Sequence, residues 1–397
     1  MSRPLPLAGF RILSAEQYGA GPYGTMFLAQ LGAEVIKIEP SAGGDTARAV
    51  GPHFLREGES LYFQSFNLNK RSIALDLNSP AGQAVLHRLV ARSHAMVNNL
   101  RGDLPARIGL TYDALKAANP AIVCAHLSAY GRDNVRTRWP GYDYLMQAEA
   151  GFLSMTGDPD APPTRFGLSI VDFMTGTMMA IGLLATLIDA ERTGEGRDVD
   201  VDLLSTAVHQ TSYPAMWYMN EGDVTTRAPR SAHPSVTPSQ MFRTADGWVF
   251  VMAQLPKFWT ILTDRIGRPD LAADQRFTTP EGRLANRDAL TEALDAVFLT
   301  QPTAHWLALL QGHMPVAPVH GLAEALDNPH LEAIGMIDTV DHPDRAALRV
   351  LANPIRLDGE RLPNRAGPLL GADTDAVLAE AGYDEDEIAR LRADGVV

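Results

Sequence analysis

The sequence predicts an α/β protein: a large domain on a doubly wound, Rossmann-like parallel sheet, with a smaller α+β domain placed before the chain returns to the first. Three observations carry this. The first 130 residues alternate short apolar runs with helical stretches of about 10–15 residues, as strand–helix–strand crossovers do. Near residue 222 the texture changes, and Pro229, Pro234 and Pro238 lead into an alternating hairpin pattern. With 397 residues, the chain exceeds what one hydrophobic core serves comfortably. The expected boundaries are 1–220 for the large domain, 225–330 for the small one and 331–397 for the return.

Residues 10–14 form a short apolar strand, and the turn Gly19-Ala-Gly-Pro22 opens a helix that Gly32 ends. Residues 33–39 alternate as a strand should. The pattern recurs as strand 72–77, helix 80–92, strand 95–98, helix 111–118 and strand 122–127. A long helix then runs from Asp172 to about Thr193 and is closed by Gly194-Glu-Gly196. Residues 198–203 alternate again, and 204–220 read as one helix. In the small domain, residues 240–251 form a hairpin around Asp246-Gly247, a strong turn signal. Amphipathic helices are predicted over 256–266, 286–299 and 303–312, then extended chain at 349–355 and helices at 373–380 and 385–394.

Composition excludes several classes. The net charge of −13 argues against non-specific nucleic-acid binding. Cys124 is the single cysteine, so there is no disulfide framework and no multi-cysteine metal site. It sits in an apolar run that reads as a buried strand, where a thiol is poorly activated. The opening residues lack a basic segment followed by an apolar one, and residues 174–188 contain Thr175, Gly176, Thr177 and Thr186. A cytoplasmic protein with neither leader nor membrane span is expected. With four lysines, any anionic ligand must be met mainly by arginine.

Asp172 is the foremost candidate for chemistry. It follows a mostly apolar approach, Arg165-Phe-Gly-Leu-Ser-Ile-Val171, and stands where a helix begins. A helix cap is one reading of such an aspartate. A nucleophile is compatible with it, because a helix N-terminus favours the ionised carboxylate. A carboxylate shielded from water attacks an activated acyl carbon. Neighbouring glycines would leave N–H groups for an oxyanion.

The stretch Arg165–Asp172 with Thr175-Gly176 and Thr193-Gly-Glu-Gly-Arg197 resembles the signature of the class III CoA-transferases, the family of formyl-CoA transferase, carnitine and bile-acid CoA-transferases and α-methylacyl-CoA racemase. Further similar segments are Gly21-Pro22, Leu31–Glu39, Asn69–Asp76, Asn99–Gly109, Pro140–Gln147 and Leu370–Leu378. The resemblance runs through nearly the whole chain. It implies that Asp172 carries the transferred group as a mixed anhydride and then a CoA thioester, with Tyr142 and Asp143 beside the reacting thioester. It implies no metal and no permanently bound cofactor, coenzyme A entering as the substrate thioester together with a free carboxylic acid. Leu75, Asn78, Asn99 and Leu100 would line the adenine end of the CoA site and Arg107 would meet its phosphates. Lys70, Arg71 and Arg101 are further candidates by proximity in the sequence. The family also implies an intertwined homodimer.

Some positions depart from the family's pattern. Gly19 stands where some transferases have glutamine, Pro40 stands where they have arginine, and the small domain has no run of four glycines. These put an oxalate-type reaction in doubt. The racemase branch places histidine at the position of Tyr142, and a tyrosine with an ordinary pKa near 10 suits α-proton transfer poorly. Intramolecular CoA transfer would use the same Asp172 and stays open. A dinucleotide-dependent dehydrogenase lacks its G-x-G-x-x-G after the first strand. A non-catalytic CoA-binding protein would have no need of Asp172. For the acids, the expectation is a succinyl-CoA donor and a dicarboxylic or hydroxy-acid acceptor, with Arg48 or Arg165 holding a distal carboxylate.

Overall fold

The computed structural model describes residues 3–397. The chain forms two compact units. The first comprises residues up to Ala150, Gly167–Ser212 and Pro329–Val397. The second comprises Gly151–Phe166 and Tyr213–Asn328.

The first unit is built on six parallel strands: β1 (Arg11–Ala15), β2 (Glu34–Glu39), β3 (Arg71–Ala74), β4 (Ala95–Asn98), β5 (Val123–Ser128) and β6 (Asp198–Asp202), in the order β3-β2-β1-β4-β5-β6. This is the doubly wound arrangement the alternation predicts. Buried Leu13, Ile36, Ile73 and Met96 form one core with Val85, Leu86 and Leu89 of α2 (Pro80–Val90) and with Val377, Leu378 and Ile388 from the chain's end. Ser79 starts α2 by accepting the Gly82 N–H, with Pro80 in the first turn, where it forfeits no helical hydrogen bond.

Two helices position the site. α1 (Ala20–Gln30) follows β1 and crosses α4 (Ile170–Thr193), which follows α3 (Asp143–Glu149). The crossing is close because glycines face each other. A Cβ on Gly24 would lie 2.4 Å from the Gly176 carbonyl oxygen, and one on Gly176 would lie 2.3 Å from that of Ala20. Backbone cannot yield as a side chain can, so Gly176→Val is expected to destabilise the protein by about 3 kcal/mol or more, measured by urea unfolding. α4 is also the one helix among the described residues long and apolar enough to cross a membrane, but Val171, Met179, Leu183 and Leu187 are buried in this unit.

The 204–220 stretch is two helices, α5 (Leu203–Gln210) and α6 (Ser212–Glu221), because Ser212 takes a left-handed φ of 49°. The predicted helix at 111–118 is a single turn, Tyr112–Leu115. Residues 349–355 belong in part to a hairpin whose first strand, Ile337–His342, carries no clear alternation in the sequence.

The second unit carries the antiparallel pair β7 (Ser239–Arg243) and β8 (Trp248–Met252) around Asp246-Gly247, with β9 (Val316–Pro318) alongside. Its core packs Phe242, Val249 and Val251 against Trp259, Leu290, Phe298 and Trp306. Gly151–Phe166, placed by sequence in the large domain, joins this unit: Arg227 donates to the Ala161 and Pro162 carbonyls, and the Arg230 N–H to Asp158.

Candidate active site

Strand order reverses between β1 and β4, and in doubly wound sheets the crevice outside the carboxyl ends at that point takes the ligand. β1 delivers Glu16–Gly19 there, and β4 delivers Asn99, Leu100 and Arg101. Asn99 clamps the two loops together. Its Oδ1 accepts the Gln17 N–H at 2.8 Å, and its Nδ2 donates to the Gln17 carbonyl at 2.6 Å. Asn99, Leu100, Arg101, Tyr142 and Asp172 line one cavity of ≈ 210 Å³. Leu75, Asn78 and Leu100 line a second, of ≈ 380 Å³. Gln17 and Leu100 are walls of both, so the cavities are neighbours.

Asp172 is not the helix cap. Ser169 holds that position, and Asp172 is the third residue of α4, buried, with its side chain at the first cavity. Asp143 does the local satisfying: its Oδ2 accepts the Asp172 N–H at 3.0 Å, while its Oδ1 accepts from Gln147 Nε2 at 2.6 Å. Gln147 also donates to the Leu168 carbonyl at 3.1 Å, tying the approach of α4 to α3. Two acidic groups in one buried place set the electrostatics. Burial, and after it the charge of Asp143, raise Asp172 to about 7. Burial and the Asp143 charge thus work against the ionisation that a helix N-terminus alone would favour.

Most of the expected cations are engaged with acidic partners. Lys70 is fully buried, its Nζ bonded to Glu16 Oε1 at 2.8 Å, to Asn67 Oδ1 at 2.9 Å and to the Pro22 carbonyl at 3.0 Å. Arg71 begins β3, at the end of the sheet opposite the cavities, and pairs with Glu34, Asp373 and Glu380. Arg48 is locked between Glu39 and Glu59 over the Phe63 ring, so it cannot receive a distal carboxylate. Arg165 is in the second unit. Arg101 lines the first cavity while its fork holds Asp103 at 2.6 and 3.0 Å. Arg107 is 65% exposed, 3.6 Å from Asp103. Cys124 is buried, and burial pushes its thiol up.

Sequence reasoning missed Tyr18, Tyr62 and Trp139 and noted Gly19 as a turn residue and as a departure from the family's pattern, not as a neighbour of Asp172. Tyr18 and Trp139 line the first cavity, and the Tyr18 ring packs on Tyr62 and Tyr142. A Cβ on Gly19 would lie 2.9 Å from Asp172 Oδ2 and 3.7 Å from the Tyr62 hydroxyl, so this close approach favours glycine. The signal for Gln17–Gly19 was their place just past a strand's carboxyl end. Tyr62 gave none, since its helix, Leu61–Gln64, is too short to show a period.

A doubly wound sheet with a buried carboxylate at its switch-point cavity defines an α/β protein with a candidate ligand site at the carboxyl ends of its strands. The chain belongs to CoA-transferase family III, whose model matches residues 7–374, and is a CoA-transferase. It is 32% identical over 395 residues to the succinyl-CoA:glutarate CoA-transferase of Mus musculus, covering 99% of this chain and 90% of the relative. It is 34% identical over 387 residues to the succinyl-CoA:mesaconate CoA-transferase of Haloarcula hispanica, covering 95% and 96%. Among solved structures, a CaiB/BaiF family protein from Brucella suis superposes with a TM-score of 0.83 at 30% identity, covering 96% of this chain and 100% of that one.

Proposed function

We propose that this enzyme moves CoA from an acyl-CoA, succinyl-CoA foremost, to a second dicarboxylic acid through covalent intermediates on Asp172. The observation that carries the mechanism is the buried Asp172 carboxylate at the first switch-point cavity, with the Gly19 backbone close against it. The names of the two relatives support the choice of acids. A carboxylate oxygen of Asp172 attacks the thioester carbon; the C–S bond breaks and CoA leaves as thiolate. The thiolate then attacks Cγ of Asp172, releasing the donor acid and leaving an aspartyl-CoA thioester. The acceptor carboxylate attacks that carbon, expelling CoA thiolate, which takes the new acyl group and frees Asp172. Overall one thioester and free acid exchange for another pair of nearly equal energy, and holding the reactants in place lowers the barrier to each step.

In this reading Leu75, Asn78 and Leu100 take the adenine end, and Arg107, exposed and loosely paired, meets phosphate. Tyr142 and the backbone around Gly19 face the thioester. Asp143 orients Asp172 and tunes its ionisation. Exposed Ile181, Ile188 and Val208 on α4 and α5 support an intertwined homodimer, testable by light scattering.

Mass spectrometry of CoA exchange from succinyl-CoA across a panel of acids tests the function. Exchange into C4–C6 dicarboxylates is expected; α-proton exchange without acid exchange would replace the reading with a racemase. The nucleophile must be ionised, so kcat/KM is expected to rise with unit slope below pH 7 and level off above it. A flat profile from pH 5 to 8 would remove Asp172 as the titrating group.

A further inference from the structure

Between the end of β1 at Ala15 and the start of α1 at Ala20, four residues must leave the sheet and turn back over it. Tyr18 makes this turn with φ at 67°, in the left-handed region that a tyrosine rarely adopts. Such a conformation persists only where the surroundings over-determine it. Here four backbone groups around it are held. The Glu16 carbonyl accepts from Lys37 Nζ at 2.8 Å. The Gln17 N–H and carbonyl are both bound by Asn99. The Tyr18 N–H donates to Asp45 Oδ1 at 2.9 Å.

Asp45 is 2% exposed, and that oxygen also accepts the Ala47 N–H at 2.8 Å. Its other oxygen lies 2.8 Å from Lys37 Nζ. One ammonium therefore grips the turn from both sides, through the Glu16 carbonyl and through Asp45. The next residue, Gly19, is where a Cβ would come within 2.9 Å of Asp172 Oδ2. A small shift of the turn moves that backbone against Asp172 or away from it.

We propose that Asp45, anchored by Lys37, is a positioning residue for CoA transfer: it holds Tyr18 left-handed and so fixes the Gln17–Gly19 backbone against Asp172. The proposal rests on Asp172 as the covalent carrier. Neither Asp45 nor Lys37 is assigned a reacting atom above, and both are nearly out of solvent. Asp45 also borders the second cavity, so kcat and KM must separate action through the turn from contact with CoA.

Exchange of isotopically labelled succinate into succinyl-CoA tests this on the full chain, whatever the acceptor acid. Rates are normalised to active sites counted as aspartyl hydroxamate trapped by hydroxylamine. Asp45→Ala is expected to lower kcat about 10²-fold, the scale of a misplacement of about 1 Å, with KM for succinyl-CoA within about threefold. Asp45→Asn keeps an acceptor oxygen for Tyr18 and is expected to lose only about five- to tenfold. Should the alanine variant not fold, the asparagine variant decides by the same split. A kcat within about threefold of wild type in the folded variants overturns the proposal, as does a rise in KM at constant kcat, which would make Asp45 a CoA contact. A loss confined to the number of active sites would make its role structural and overturn the proposal too. Absence of exchange and of hydroxamate in the wild type would instead fail the Asp172 mechanism, and this inference with it.

Discussion

Asp172→Asn is expected to lower CoA exchange by at least about 10³-fold while making the folded protein more stable above pH 7. On the proposed mechanism the first effect follows from removing the oxygen nucleophile that carries the acyl group; an amide neither attacks a thioester nor forms an anhydride. The second follows from linkage. Asp172 titrates at about 7 in the fold against 3.8 for the free side chain, because it is buried and Asp143 is near. Between those values the folded chain keeps a proton that the unfolded chain has released, so stability falls as pH rises through that window and stays level above it. The whole loss is about 4 kcal/mol for roughly three units. Asparagine cannot ionise and escapes it. Urea unfolding of wild type and variant should coincide near pH 4 and diverge to a few kcal/mol by pH 8. Equal stability at pH 8 would mean that the helix terminus and local N–H groups neutralise the burial of the charge, and the kinetic midpoint would then move below 7 as well.

This opposition shows why the site was only partly legible. The six strands follow from apolar runs readable in one dimension, while Asn99 and Leu100 were picked out by the resemblance to the family and not by periodicity. Asp172 showed locally only as an acid entering a long helix, which a cap also explains, and the family motifs around it made it the candidate for chemistry. Its ionisation could not be read, since that depends first on its burial and then on the charge of Asp143, 29 residues away in sequence. Cations were misassigned for a geometric reason. Lys70 and Arg71 are adjacent in sequence, but side chains alternate direction in extended chain. One goes under α1 and the other to the amino edge of the sheet. Arg48 was read as a free guanidinium because Glu39 and Glu59, which occupy it, sit 9 and 11 residues away across a loop without periodic signal. The break at Ser212 left no trace either, serine being an ordinary helix residue whose left-handed φ is set by where the chain must go.

Lys70→Met is expected to destabilise the protein by about 3–5 kcal/mol, the usual consequence of leaving one member of a buried ion pair alone, with little change in KM for acyl-CoA. Glu16 is fully buried. Burial by itself would drive its carboxyl up, and the charges of Lys70 and then Lys37 reverse this and hold it below the ordinary range. Methionine fills the stem of the lysine but supplies no charge, so Glu16 must either keep a poorly compensated charge or take up a proton. Thr25, which donates to the same oxygen at 2.6 Å, satisfies one lone pair and no more. Replacing both partners, Lys70→Met with Glu16→Met, should recover most of the loss, because a well-packed apolar pair avoids the desolvation that the ion pair only offsets. The Glu16 backbone carbonyl, and with it the Lys37 bond, survives that double change. A phosphate-binding lysine would behave in the opposite way, its removal raising KM for acyl-CoA tenfold or more and leaving the urea midpoint in place. Unfolding curves and acyl-CoA titrations on the single and double variants therefore separate a lysine that holds β1 and α1 together from one that holds the substrate.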